Sequence, residues 1–235
     1  MNLKILSSIV LAGLMAGCFG GGGGYADRGI YKRNYPQTVN TTASSVNISN
    51  SVKDSLKYMY EEERLAKEVY LAIYQRQPVM QLERIATRSE TRHIEAVNSL
   101  ASKYGVRLYA QTPGRYSIPA IQSLYNTLYN KGIRSQKDAL EVGCMVEVTD
   151  IDDLDRYIYD AQRVGANDVV QTYEFLRKGS YNHYWAFDRG LKQMGISSGC
   201  CSLGQKYCHP EYPQNQRGMG RGQGRGRGLG MRIGR

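Results

Sequence analysis

Residues 51–73 read SVKDSLKYMYEEERLAKEVYLAI, and this stretch decides the fold. Val52, Leu56, Met59, Glu63, Ala66, Tyr70 and Ile73 recur at alternating intervals of four and three, so they share one face of an α-helix. An acid, Glu63, stands in the middle of that otherwise apolar face. A carboxylate there needs a partner, because burying an unpaired charge is expensive.

The pattern repeats downstream. Leu82, Ala86, Glu90, His93, Val97, Leu100 and Tyr104 form a second stripe, entered near Pro78, where a missing N–H costs little, and stopped by Gly105. Residues 106–119, with Pro113-Gly114 and Pro119, read as a loop, and residues 120–130 as a short helix ended by Gly132. A third helix over residues 135–161 carries Leu140, Gly143, Cys144, Glu147, Asp150, Ile151, Leu154 and Ile158, with a kink expected at Thr149-Asp150. A fourth, over residues 166–194, carries Val169, Tyr173, Leu176, Ser180, His183, Phe187 and Leu191. Four long helices with a long second connection predict an all-α fold, an antiparallel four-helix bundle with one crossover.

The residues that interrupt these apolar faces carry the functional signal. Glu63, Glu90, His93, Glu147 and His183 all stand where the pattern expects a hydrophobe, and every long helix supplies at least one of them. Several buried carboxylates in one layer repel each other, and a divalent cation answers both the burial and the repulsion. Glu90 and His93 lie three apart, on one helix face, which is the Glu-x-x-His device of carboxylate-bridged di-iron bundles. Mixed carboxylate and imidazole ligands suit iron or manganese. The residues leave a second reading open: a metal-free polar layer, hydrogen-bonded internally and to Tyr70, Tyr173 or Arg64. Glu61, Glu62 and Glu68 are expected to be solvated surface charges.

Here a resemblance adds to the spacing. The run Glu63-Arg64-Leu65-Ala66-Lys67-Glu68-Val69-Tyr70 resembles the first helix of rubrerythrin-type ferritin-like proteins, with Glu63 at the ligand position. Ser89-Glu90-Thr91-Arg92-His93 resembles their second-helix motif, and Glu147-Val148-Thr149-Asp150 falls at their third-helix carboxylates. Nearer still is a bacterial family known as domain of unknown function 2202. Its signature is similar to Glu61-Glu62-Glu63, Ser89-Glu90 with His93, Val142-Gly143 with Glu147 and Asp150-Ile151, and Gly179-Ser180-Tyr181-Asn182-His183, over about residues 50–195. The resemblance implies a ferritin-like fold and no settled activity. The fourth helix departs from the di-iron pattern: Ser180-Tyr181-Asn182-His183 stands where rubrerythrins carry Glu-x-x-His. One carboxylate is therefore missing. Asp150 is preferred as its replacement over Glu174, which falls off the stripe.

The flanks are of other kinds. Residues 1–17 have a basic start at Lys4, an apolar run and then Ala16-Gly17-Cys18, which resembles a lipoprotein signal cleaved before an acylated Cys18; the alternative is a secretory leader with Cys18 incidental. The run falls short of the ~20 apolar residues of a spanning helix. Phe19 after the cysteine, where an Asp would signal inner-membrane retention, favours the outer membrane in a cell with two membranes. Residues 18–49 read as a flexible tether. Residues 196–216 form a cysteine-containing extension. There Cys208 is expected to close a loop with Cys200 or Cys201, leaving an odd thiol free or paired between chains, while Cys144 reads as a small buried hydrophobe. Residues 217–235 hold six of the arginines behind a net charge of +10, and no acid, in an Arg/Gly tail expected to be disordered. Behind an export signal, anionic lipids or envelope polymers are more available to that tail than nucleic acid.

The expectation is an exported lipoprotein of the cell envelope whose domain binds iron or manganese for oxygen or peroxide chemistry. Glu63, Glu90, His93, Glu147 and His183 would be the ligands, with Asp150 optional. The competing expectation is a non-enzymatic envelope module with a metal-free polar layer. Oligomeric state stays open.

Overall fold

A computed structural model describes residues 48–214. The signal, Cys18, most of the tether and the Arg/Gly tail lie outside these residues. The described residues are helical apart from their connections, with no strand among them, and no helix is long and apolar enough to cross a membrane.

Helix α1 (Asn50–Tyr74) begins at Ser49, whose hydroxyl accepts from the Val52 N–H at 3.3 Å. Its inward face is the predicted stripe. The second stripe differs from expectation. It forms α2 (Met80–Ile85), a five-residue π-helical segment (Ala86–Glu90) and α3 (Thr91–Lys103) in direct succession. The Thr91 hydroxyl donates to the Ala86 carbonyl five residues back, at 3.2 Å, within that wide turn. Glu90 is the last residue of the segment, and such segments concentrate at functional sites.

The long connection contains α4 (Pro119–Gly132), which starts on proline and packs on α1 and α5. Helix α5 (Gln136–Arg163) is capped by Ser135 and runs through Thr149 and Asp150 without the expected kink. The Thr149 hydroxyl returns to the Met145 carbonyl at 2.9 Å, so it is satisfied inside the helix. Helix α6 (Asn167–Gln193) packs along α5. Gly143 permits this approach, since a Cβ there would lie 2.4 Å from the Phe187 ring.

The core is divided. One apolar cluster takes Leu65, Val69 and Ile73 of α1, Leu82 of α2, Leu140 and Val146 of α5, and Phe187 and Leu191 of α6. The other takes Leu56 and Met59 of α1, Val97 and Leu100 of α3, Leu154 and Ile158 of α5, and Tyr173 and Leu176 of α6. Between them lie Glu62, Glu63, Glu90, His93, Asp150, Ser180 and His183, all buried, with Glu147 at the border. A polar layer thus crosses the molecule between two hydrophobic halves.

Beyond α6 the chain folds back in two short 3₁₀ turns, Gly199–Leu203 and Gln205–Tyr207. Asp188 anchors this return by accepting from the Cys200 N–H at 3.0 Å and pairing with Lys192 at 2.8 Å. Cys144 is not a lone hydrophobe: it is disulfide-bonded to Cys200, and Cys201 is bonded to Cys208. No thiol among the described residues is left free. The sequence could not show that the returning chain lays Cys200 against the α5 face carrying Cys144.

Candidate metal centre

Six buried side chains meet in the polar layer. The Glu63 carboxylate Oε2 accepts from His93 Nδ1 at 3.1 Å, and Glu90 Oε2 lies 3.0 Å from the same nitrogen. On the other side Glu147 Oε2 lies 3.3 Å from His183 Nδ1, and Glu90 Oε1 lies 3.0 Å from it. One ligand atom from each of Glu63, Glu90 and His93 falls within a mutual 4.8 Å, and so does one from each of Glu90, Glu147 and His183. Glu90 belongs to both groups, one oxygen turned to each. The two imidazoles stack 5.6 Å apart.

Secondary contacts hold these side chains. Tyr70, fully buried, donates to Glu147 Oε1 at 2.5 Å. Ser180 donates to Asp150 Oδ2 at 2.5 Å, leaving Asp150 Oδ1 without a hydrogen-bond partner. Gly179 leaves room for the His93 ring, because a Cβ there would lie 2.4 Å from Nε2.

Burial and mutual charge set the protonation of the layer. Burial raises the Glu63 pKa to about 7 against the opposing pull of His93. Burial works against charging His183, but the Glu90 and Glu147 carboxylates outweigh it and raise its pKa to about 10. His93 is raised in the same way: burial opposes, and Glu63 and Glu90 prevail. Burial would raise Glu90, but His183 and His93 hold it well below the usual carboxylate range. Asp150 is raised by burial and by the Glu63 and Glu147 charges, with Ser180 opposing. Without a metal the layer therefore stores protons on both imidazoles, and a cation would have to displace them.

The donor set fits a divalent cation pair. Glu63 Oε1 and Asp150 Oδ1 are buried oxygens with no hydrogen-bond partner among the described residues; Glu63 belongs to one converging group, and Asp150 lies beside the two groups without joining either. Buried unpartnered acceptors of this kind call for an ion or water. Oxygen and imidazole donors without thiolate could hold a divalent first-row metal.

Of the six sequence-derived candidates, Glu63, Glu90, His93, Glu147 and His183 form the two ligand groups, and Asp150 is buried beside them in the layer without joining either group. Glu174 is exposed, so it offers no substitute carboxylate. Of the proposed polar-layer partners, Tyr70 is present, whereas Tyr173 bonds Ser55 at 2.8 Å and Arg64 pairs with Glu68 at 2.7 Å.

The expectation that Glu61, Glu62 and Glu68 are solvated fails. Glu61 accepts from the Ser117 and Ile118 N–H groups at 2.9 and 2.8 Å and from the Ser117 hydroxyl, fixing the entry to α4. Glu68 accepts from the Gly114 N–H and the Tyr116 hydroxyl, each at 2.7 Å. Both acids lie off the apolar stripe because they hold the loop over residues 105–118, which no helix periodicity reveals. Glu62 is 2% exposed, and no N–H or hydroxyl among the described residues donates to either carboxylate oxygen. The signal available for it was a third acid in the run 61–63, too many for one solvated edge.

The uncharacterized protein MJ0754 of Methanocaldococcus jannaschii is 39% identical over 150 residues, covering 63% of this chain and 79% of that protein. The crystal structure of hypothetical protein MJ0754 aligns over 63% of this chain and 83% of its own, with a TM-score of 0.60 at 39% identity. The family described as "Uncharacterized protein domain (DUF2202)" matches residues 52–209, a span that includes all six candidate ligands and the disulfide-bonded return. The chain belongs to the DUF2202 family.

Proposed function

We propose that the domain is a ferritin-like four-helix bundle that binds a pair of iron or manganese ions for oxygen or peroxide redox chemistry. The observation that carries this reading is Glu90, whose two oxygens serve two separate ligand groups 3.0 Å from two different imidazoles. When bound, such a pair supplies changes of redox state and Lewis acidity. The chain's own residues do the rest. Glu90 spans the two positions, Glu63 with His93 closes one, and Glu147 with His183 closes the other. Tyr70 orients Glu147, and Ser180 holds Asp150 Oδ2, leaving Oδ1 as the oxygen that would stand in for the absent fourth-helix carboxylate. The apolar clusters on both sides exclude water.

The competing reading, a non-enzymatic envelope module with a metal-free polar layer, is favoured by the internal bonds His93–Glu63, His183–Glu147 and Ser180–Asp150. The balance of acid and base supports the metal reading. Five buried carboxylates (Glu62, Glu63, Glu90, Glu147 and Asp150) face two histidines, so even full protonation of both imidazoles leaves an excess of acid.

Elemental analysis of the purified chain, as isolated and after aerobic and anaerobic reconstitution, tests the reading. About two iron or manganese ions per chain are expected by analogy with carboxylate-bridged bundles. Failure to retain either metal under both conditions selects the polar-layer module.

The sequence before the domain supports export as a lipoprotein anchored through Cys18 in the cell envelope, at the outer membrane where there are two. The Arg/Gly tail would meet anionic lipids or envelope polymers there. Cys18→Ser should move the chain from the membrane fraction to the soluble one. Unchanged membrane retention after leader cleavage would exclude the lipid anchor.

A further inference from the structure

Glu62 is the least satisfied charge-bearing group of the domain. It is 2% exposed, no N–H or hydroxyl among the described residues donates to either of its oxygens, and the groups acting on it are all acids: Asp150, Asp153, whose carboxyl it meets, and Glu63. The nearby cation Arg156 is already engaged, 2.7 Å from Asp153. Glu62, Asp150 and Asp153 are not among the compact ligand groups, which are the two that share Glu90. These three carboxyl groups are thus too open a set to retain an ion, and nothing but acid stands around Glu62.

Its position explains the arrangement. On the inner side Asp150 faces Glu63 and Glu147. On the outer side Tyr58 is acted on by Glu62 and Asp153, and lines a cleft of about 640 Å³ between α1, the loop over residues 105–118 and α5. Within that cleft Lys57 is neutralised by Asp54 at 2.8 Å, Glu61 is consumed by the loop, and Asp160 has no ion-pair partner among the described residues. Carboxylates therefore run in from the cleft to the centre.

We infer that Glu62 is a transit ligand, which passes a divalent cation from this cleft to the Glu63–Glu90–Glu147 centre. The inference rests on the two-metal reading and adds the route by which the site fills. A buried carboxyl group with no N–H, hydroxyl or cationic partner among the described residues offers its oxygens to a cation, and its failure to converge with two others lets the cation leave. Arg107, which lines the same cleft and makes no ion pair among the described residues, opposes entry.

The test is stopped-flow loading of the metal-free full-length chain with Co²⁺, followed by visible absorption, with Mn²⁺ loss from solution as a second probe. Glu62→Gln should load about tenfold more slowly or worse, the scale of electrostatic focusing on association, and reach the wild-type end-point. Glu62→Asp should recover much of the rate. Arg107→Gln, a surface change that leaves the core untouched, should load faster than wild type. Wild-type kinetics in Glu62→Gln would overturn the inference, and an end-point lowered by one ion would make Glu62 a resident ligand instead. An unchanged rate in Arg107→Gln would exclude this cleft as the entrance. Absence of uptake by the wild-type chain would fail the metal reading itself, before any variant is compared.

Discussion

The His93 ring rests against the backbone of Gly179, so closely that a Cβ on Gly179 would lie 2.4 Å from Nε2 and 2.6 Å from Cε1. Packing of α6 thereby fixes the orientation of a side chain on α3 and turns Nδ1 toward Glu63 and Glu90. In an ordinary helix interior, alanine in place of glycine stabilises by about 1 kcal/mol. Here the steric cost of overpacking, about 1–3 kcal/mol, opposes that gain. Gly179→Ala is expected to lower thermal stability and to weaken metal binding at the His93 position. A raised melting temperature with intact binding would contradict the packing argument.

The shared position of Glu90 makes its loss different in kind from the loss of either imidazole. Glu90→Gln should abolish tight binding of both ions, because each ligand group loses a member. His93→Ala and His183→Ala should each reduce stoichiometry toward one. Metal content by elemental analysis after desalting distinguishes the cases; equal losses in all three variants would mean that the two positions do not exist separately.

Ser180 is the residue by which this chain departs from the Glu-x-x-His pattern, and its hydroxyl is engaged with Asp150. Ser180→Ala removes a buried hydrogen bond to a carboxyl group, worth about 1–3 kcal/mol. Chemical denaturation should register that loss in the metal-free protein. Ser180→Glu, which sequence alone suggests as a repair, should instead crowd Asp150 and destabilise further. A gain of metal stoichiometry in Ser180→Glu would refute the assignment of Asp150 as the replacement.

Much of this was legible beforehand because helical periodicity is a strong signal. The inward stripe of α1 and the acids and imidazoles that interrupt each stripe could be read from spacing alone. What could not be read involved contacts across the fold. The π-helical turn before Thr91 leaves the Leu82–Glu90 periodicity almost intact, so it is invisible in the pattern. Glu61 and Glu68 bond a distant loop, and Cys144 meets Cys200 only because the chain doubles back after α6. Asp150 was legible as a candidate, but its hydrogen bond from Ser180 on another helix was not.

Away from the centre, Glu141 gives a pH dependence with a definite sign. Burial would raise its pKa, but Lys131, 2.5 Å away, and Lys137 lower it below the ordinary 4.5. A carboxylate with a lowered folded-state pKa contributes stability that is present above its unfolded pKa and is lost as pH falls through the folded value. Urea unfolding of metal-free protein should show the wild-type advantage over Glu141→Gln intact at pH 6 and shrinking below about pH 4.5. An advantage that instead grows on acidification would reverse the assigned sign.

The Cys144–Cys200 bond has a topological consequence. It closes a covalent ring, with a sequence separation of 56, that contains Glu147, Asp150, Ser180 and His183. Glu63, Glu90 and His93 lie on chain outside the ring. The centre is therefore a junction between a cross-linked half and an open one. Loop-closure entropy assigns this bond about 4 kcal/mol and the short Cys201–Cys208 loop about 2.5 kcal/mol. In an oxidising compartment α1 to α3 can detach and re-dock while α5 and α6 stay joined, so a shed ligand half would find its partner surface still assembled. In a reducing compartment both halves would have to be rebuilt together, which ties the durability of the centre to the place where the chain resides.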